Sequence, residues 1–75
     1  MRRIGTVSRV AQGLAIVRCE DDQRPEIGQQ VLDEDLSTVG RIVDVFGPVD
    51  RPYVAISPGG HREPPSLIGT KLYAR

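Results

Sequence analysis

Cysteine, histidine and aromatic residues are scarce in this sequence, and their scarcity excludes several classes of protein. A single cysteine, Cys19, cannot form an intramolecular disulfide framework. Neither Cys19 nor the single histidine, His61, lies in a catalytic motif, so we expect a packed thiol and a solvated imidazole. One phenylalanine and two tyrosines are too few for an interleaved base-stacking platform.

The sequence also has no excess of positive or negative charge, and it contains no long apolar run. Ten basic and ten acidic residues cancel, which argues against a general nucleic-acid binder but leaves a local basic patch open. No segment approaches the roughly 20 apolar residues of a membrane helix, and no signal peptide follows Arg2 and Arg3. We therefore expect a cytoplasmic protein with no membrane partner, or a nuclear one if its source has a nucleus.

The chemistry of an enzyme or a metal protein is also missing. Neither carboxylate run, Glu20-Asp21-Asp22 or Asp33-Glu34-Asp35, has the alternating ligands and glycine of a metal loop. The Gly59-Gly60 pair belongs to no phosphate-binding motif. The sequence predicts no cofactor, no metal and no catalytic residue.

What the 75 residues do contain is short β-branched runs separated by glycine and proline. This pattern is typical of strands and turns in one small all-β domain. Six strands are predicted at about Arg3–Val10, Leu14–Cys19, Gln29–Asp33, Thr38–Phe46, Tyr53–Ser57 and Ile68–Tyr73. Closure into a barrel would leave no unpaired strand edge.

Alternation along each strand assigns side chains to the two faces. In the fourth strand, the alternation puts Val39, Val43 and Val45 on one face and Ile42 and Phe46 on the other. A bulge near Gly40 would exchange Ile42 and Val43, so the choice between them stays open. In the sixth strand, Ile68, Thr70 and Leu72 are predicted to share one face.

The fourth strand is apolar on both faces, whereas the outer side of a barrel strand is normally polar. Either a loop or chain terminus covers the outer face, or the outer face binds another protein. Aromatic residues beside rigid turns lose little entropy on binding and recur at interface centres. The predicted partner-binding surface comprises Phe46, Gly47, Pro48, Val49, Pro52 and Tyr53, with Ile42 and Val45 beneath or beside it.

A weak internal echo runs through the chain. The words Ile27-Gly28-Gln29-Gln30-Val31 and Ile68-Gly69-Thr70-Lys71-Leu72 resemble each other, and Ile4-Gly5-Thr6-Val7 and Val39-Gly40-Arg41-Ile42 are shorter versions. An apolar–glycine pair that opens a strand fits a bulge or a tight barrel corner. Coincidence among short β-strand words is the alternative.

Direct RNA binding is the second functional hypothesis. Arg2, Arg3, Arg9, Arg41 and Arg51 would have to gather on one side of the barrel to contact phosphates. Arg41 and Arg51 are the candidate RNA contacts, against the alternative of a solvated mosaic of charges.

One long run carries a resemblance to a known family. Residues 39–58 read apolar-Gly-x-apolar, then Asp44-x-Phe46-Gly47-Pro48-Val49, then Pro52-Tyr53 and a short apolar strand that ends in Pro58. This run closely resembles the signature of the Gar/Naf family, the glycine-arginine-rich-protein subunits of H/ACA ribonucleoproteins. The opening Ile4-Gly5-x-Val7 and the closing Ile68-Gly69-x-x-Leu72-Tyr73 also resemble the family.

The resemblance implies a six-stranded barrel like the second domain of translation elongation factors. It implies a non-catalytic subunit that binds a dyskerin-type pseudouridine synthase and aids loading and release of substrate RNA in rRNA processing and ribosome biogenesis. The guide RNA would be contacted only indirectly, within the complex. The absence of Gly/Arg-rich tails resembles the archaeal core form, and a homodimer of the isolated subunit is compatible with this function.

Overall fold

The structure is a computed structural model that describes residues 2–20, 25–59 and 67–74. These residues form six strands: β1 (Arg2–Ala11), β2 (Leu14–Cys19), β3 (Gln30–Leu32), β4 (Thr38–Phe46), β5 (Tyr53–Pro58) and β6 (Lys71–Ala74). The predicted bounds of β2 and β4 are confirmed, and those of β1, β3 and β5 agree within two residues.

The strands close into an antiparallel barrel in the order β1-β2-β5-β4-β3-β6, with β6 pairing back onto β1. The all-β closed barrel predicted from the sequence is confirmed. In the described part of the chain there is no helix long and apolar enough to cross a membrane. Two hairpins, β1–β2 and β4–β5, form most of the wall, and β3 and β6 link one hairpin to the other.

The barrel interior is filled by small and branched apolar side chains. Cys19 lies in this core at 3% exposure, as expected for a small apolar residue at a strand end. The core also contains Ile4, Val7, Ala15, Val17, Val31, Val39, Ile42, Val54, Ile56, Leu67, Leu72 and Ala74.

Bulges decide which face each β4 residue occupies. The β4–β5 register shifts between Ile42 and Asp44, so Val43 is the extra residue. Ile42 is buried and Val43 is 44% exposed, so the predicted sharing of a face by Val39, Val43 and Val45 is wrong at Val43. The β3–β4 register shifts as well, with Val39 as the extra residue beside Gly40, so the open alternative, a bulge near Gly40 that exchanges Ile42 and Val43, is confirmed.

The prediction for β6 is also wrong at its start. Residues 67–69 form a turn, and the strand begins only at Lys71. Ile68 is 53% exposed, whereas its neighbour Leu67 fills the core at 2% exposure. The turn is held by the N–H of Thr70, which donates to the carbonyl of Leu67 at 2.9 Å. Leu67, rather than the predicted Ile68, therefore shares the inner face of the barrel with Leu72.

The internal echo has a structural counterpart, because one half of the barrel (β3, β4 and β5) repeats the pairing of the other half (β6, β1 and β2). The N–H of Gly28 donates to the carbonyl of Ile42 (2.7 Å), and the N–H of Gly69 donates to the carbonyl of Val7 (2.9 Å). Each acceptor lies immediately before a bulge, at Val43 in one half and at Ser8 in the other.

The equivalence extends across both hairpins. A Cβ added to Gly5 would meet the carbonyl oxygen of Arg18, and one added to Gly40 would meet that of Ser57. The two hairpins therefore use glycine for the same close approach of backbones.

Candidate functional site

The tip of the β4–β5 hairpin presents an aromatic pair, in which Phe46 is exposed and Tyr53 is half-buried. Phe46 and Tyr53 are direct cross-strand partners. Their rings stack with centroids 5.7 Å apart and an angle of 20° between the ring planes. Because Val45 and Val54 point inward, alternation directs both aromatic rings to the outside of the barrel.

The turn that follows β4 extends this aromatic surface. Val49 is 77% exposed and Phe46 is 37% exposed. Gly47 has φ 90°, and a Cβ there would lie 2.8 Å from Cδ2 of Tyr53, so the turn packs tightly against the ring. Pro48 fixes its own φ and removes a backbone donor. We call Phe46, Gly47, Pro48, Val49 and Tyr53 the hairpin-tip surface; all are exposed except Tyr53, which is half-buried.

Three of the predicted partner-binding residues lie away from this exposed surface. Ile42 is 1% exposed in the core, and the side chain of Pro52 is fully buried. Ile42 therefore lies beneath the surface, which is one of its two predicted placements, whereas Pro52 does not present its side chain to a partner. Val45 is partly buried and packs against the core, beneath the hairpin tip.

The aromatic pair is not a requirement of the barrel. In the equivalent β1–β2 hairpin, the positions of Phe46 and Tyr53 are taken by Ala11 and Leu14, which are also direct partners. That hairpin turns through Gln12 and Gly13 with no proline. Since one half of the barrel folds without aromatic residues at this place, their presence in the other half is available for binding.

The arginines do not gather into one basic patch. Arg2 and Arg3 lie at the start of β1 and Arg9 near its end, which are roughly 20 Å apart at about 3.3 Å per residue. Arg3 forms an ion pair with Glu20 at 3.1 Å. Arg41 lies mid-strand in β4, and Arg51 lies in the turn after it.

Arg41 borders an open groove of about 450 Å³ on the outside of β3, β4 and β5. Arg41 is paired with Gln30 on one side and Ser57 on the other. None of the described lining residues is acidic. The lining consists of Gln30, Thr38, Gly40, Arg41, Val43, Ser57, Pro58 and Gly59.

The acidic turn between β3 and β4 has a structural role. Oδ1 of Asp33 accepts hydrogen bonds from the N–H groups of Asp35 (2.9 Å) and Ser37 (3.0 Å). The carboxylate therefore satisfies the turn's backbone donors, as an Asx-type turn does. His61, Asp21 and Asp22 lie outside the described residues. Within the described ranges, no three His, Cys, Asp or Glu side chains are grouped so that they could hold a metal ion.

Cross-strand register adds two cations to the aromatic pair that sequence patterns did not identify. Arg18 is the direct partner of Tyr53, and Thr6 is the direct partner of both Arg18 and Lys71. One rung of the barrel thus carries five outward residues. In order around the barrel these are Lys71, Thr6, Arg18, Tyr53 and Phe46, which we call the outer row.

The strands define a small closed β-barrel with an apolar hairpin tip. The whole chain, residues 1–75, matches the family described as the Gar1/Naf1 RNA binding region. An uncharacterized protein of Methanothermobacter thermautotrophicus is 31% identical over 77 residues, which cover 97% of this chain and 82% of the relative.

The chain belongs to the Gar1/Naf1 family. The family resemblance carried by residues 39–58 is therefore confirmed over the full sequence. Membership connects the chain with H/ACA ribonucleoproteins, in which the family supplies accessory rather than catalytic components.

Proposed function

We propose that this protein is a non-catalytic subunit of an H/ACA guide-RNA pseudouridylation particle. In this proposal it binds a dyskerin-type pseudouridine synthase and aids the loading and release of substrate RNA during rRNA modification. Its place of work is the cytoplasm, or the nucleolus in a eukaryotic source. Family membership supports the particle, and the hairpin-tip surface supports the docking role.

The observation that carries the proposal is the outward, stacked pair of an exposed Phe46 and a half-buried Tyr53 beside a proline turn. Packing of each ring against the other, and of Gly47 against Tyr53, restricts the side chains before any partner arrives. A preorganised aromatic surface loses less conformational entropy on binding. Val49 provides a further apolar contact at 77% exposure.

A small rigid barrel suits the proposed effect on RNA loading. If the synthase has a mobile loop with two positions, the subunit needs only to bind one position better than the other. A difference of about 3 kcal/mol in binding free energy changes the population ratio by more than a hundredfold. No catalytic group on this chain is required for such a role.

The test is a calorimetric titration of this protein into a purified pseudouridine synthase subunit without RNA. Wild-type protein should bind, and Phe46→Ala or Tyr53→Ala should each weaken binding by about 2 kcal/mol if they are interface hot spots. Leu14→Ala, at the equivalent place in the other hairpin, is the matched control and should retain binding. Wild-type affinity in both aromatic variants would refute docking through this surface.

Direct RNA binding is the second candidate, supported by the groove beside Arg41. The groove has an exposed guanidinium, and no acidic side chain stands among its described lining residues. If Arg41 neutralises a phosphate, the affinity for bare RNA should fall with salt, and Arg41→Gln should reduce the slope by about one ion. Filter binding of the isolated protein to RNA at several salt concentrations decides this, with Arg51→Gln as the comparison.

A further inference from the structure

We propose that the outer row is one continuous binding face, and that the partner protein presents carboxylates beside the apolar site that receives Phe46. This inference rests on the proposed function and deepens it, because it assigns a chemistry to the partner. In this proposal Arg18 provides most of the attraction for the partner's carboxylates, and Lys71 adds a second positive charge to the face.

The first argument is position. Register places Arg18 directly beside Tyr53, which in turn stands directly beside Phe46. Neighbouring strands are about 4.8 Å apart, so Arg18 and Phe46 are roughly 10 Å apart and the full row spans roughly 19 Å. A standard protein interface buries about 800 Å² on each partner, so a single footprint can cover the whole row.

The second argument is that these cations have no acidic partner among the residues that the structure describes. Arg3 is neutralised by Glu20 at 3.1 Å, but neither Arg18 nor Lys71 has a carboxylate partner among the described residues. Both are exposed, and the outer row contains no acidic residue. A partner that covers the hairpin tip would therefore meet positive charge at its border and needs negative charge opposite.

The third argument is that the equivalent row in the other half of the barrel lacks this combination of residues. There the equivalents of Lys71, Thr6 and Arg18 are Gln30, Arg41 and Ser57, and these three are also successive cross-strand partners. Two of these positions are uncharged, and the hairpin beyond them carries Leu14 and Ala11 in place of aromatic residues. The fold therefore does not require a cation at the positions of Arg18 and Lys71. Cations next to an aromatic pair occur only in the outer row and not in its equivalent.

The test is calorimetric binding to the synthase subunit at two salt concentrations for wild type, Arg18→Gln and Arg18→Glu. Arg18→Glu should weaken binding by about tenfold or more, equivalent to ~1.4 kcal/mol. Arg18→Gln should weaken it less and should make it less sensitive to salt. Arg9→Glu makes the same charge change at an exposed position of β1 outside the outer row and should leave the affinity within about twofold, which is ~0.4 kcal/mol.

The outcomes separate this inference from the proposal beneath it. Absence of wild-type binding would overturn both. Binding that is lost in Phe46→Ala but unchanged in Arg18→Glu would overturn the acidic-partner inference alone. Equal weakening by Arg18→Glu and Arg9→Glu would show a general charge effect and overturn it too. Weakened binding of Arg18→Glu to bare RNA, with synthase binding intact, would assign the row to nucleic acid instead. Circular dichroism melts confirm that each variant is folded.

Discussion

Phe46 and Tyr53 face each other across the last rung of the β4–β5 hairpin and stack with ring centroids 5.7 Å apart. Both rings are outside the barrel, so their mutual contact is separate from the packing of the core. This relationship gives the hairpin tip a fixed shape without a buried side chain. The pair can therefore be altered with little effect on the fold.

We expect a modest coupling energy between the two rings in the folded protein. Stacked aromatic pairs contribute about 0.5–1.5 kcal/mol beyond the burial of their area. A double-mutant cycle of Phe46→Ala, Tyr53→Ala and the double variant, measured by urea unfolding, should show coupling in this range. Strictly additive effects would mean that the stack does not stabilise the free protein.

Gly47→Ala should lower the free energy of unfolding by more than the cost of placing an alanine in the left-handed conformation. Gly47 has φ 90°, and a Cβ would lie 2.8 Å from a ring carbon of Tyr53. The left-handed conformation costs an L-residue about 1–2 kcal/mol, and displacement of Tyr53 adds to that cost. Unfolding by urea measures the total.

Gly13→Ala is the matched control for that experiment. Gly13 also has a positive φ, 77°, but nothing lies within 4 Å of an added Cβ. The difference between the two variants therefore isolates the contact with Tyr53. Equal loss of stability in both would show that the turn does not press on the ring.

Gly40→Ala should be among the most destabilising single changes in β4. An added Cβ would overlap the carbonyl oxygen of Ser57 and lie 2.8 Å from its carbonyl carbon, and neither backbone atom can rotate away. Overpacking costs typically about 1–3 kcal/mol, and occasionally more. Gly59→Ala, where nothing lies within 4 Å, should be close to neutral. A thermal melt in which the two variants agree would contradict the close approach.

Asp33→Ala should cost about 1–3 kcal/mol, because it leaves the N–H groups of Asp35 and Ser37 without their acceptor. Asp33→Asn keeps a side-chain oxygen in the same place and should cost less. Equilibrium unfolding of both variants at neutral pH tests this order. If Asn were as damaging as Ala, the two hydrogen bonds would not be the source of the stability.

The strands and the hairpin-tip aromatics were accessible from sequence because their signals are local. Glycine, proline and polar clusters mark the turns, and β-branched runs mark the strands. The bounds of β2 and β4 follow from those signals alone. Phe46 and Tyr53 stand out since an outward aromatic residue on each side of a Gly-Pro turn is unusual on a solvated strand.

Only the tertiary structure shows which face of β4 Ile42 and Val43 each occupy. A strand's alternation is regular until a bulge shifts it, and the bulge at Val43 depends on how β4 pairs with β5. The same reason explains Leu67 and Ile68, where a turn replaces the first part of the predicted strand. The burial of Pro52 likewise depends on how the turn folds back on the barrel.

The sequence by itself determined that this chain is a small all-β domain, that it belongs to its family, and that its apolar surface centres on the β4–β5 turn. Only the tertiary structure decided which side chains share a rung. Arg18 and Tyr53 are 35 positions apart in the sequence but adjacent across β2 and β5. Barrel closure sets that register through backbone hydrogen bonds between distant segments, which leave no local pattern in the sequence.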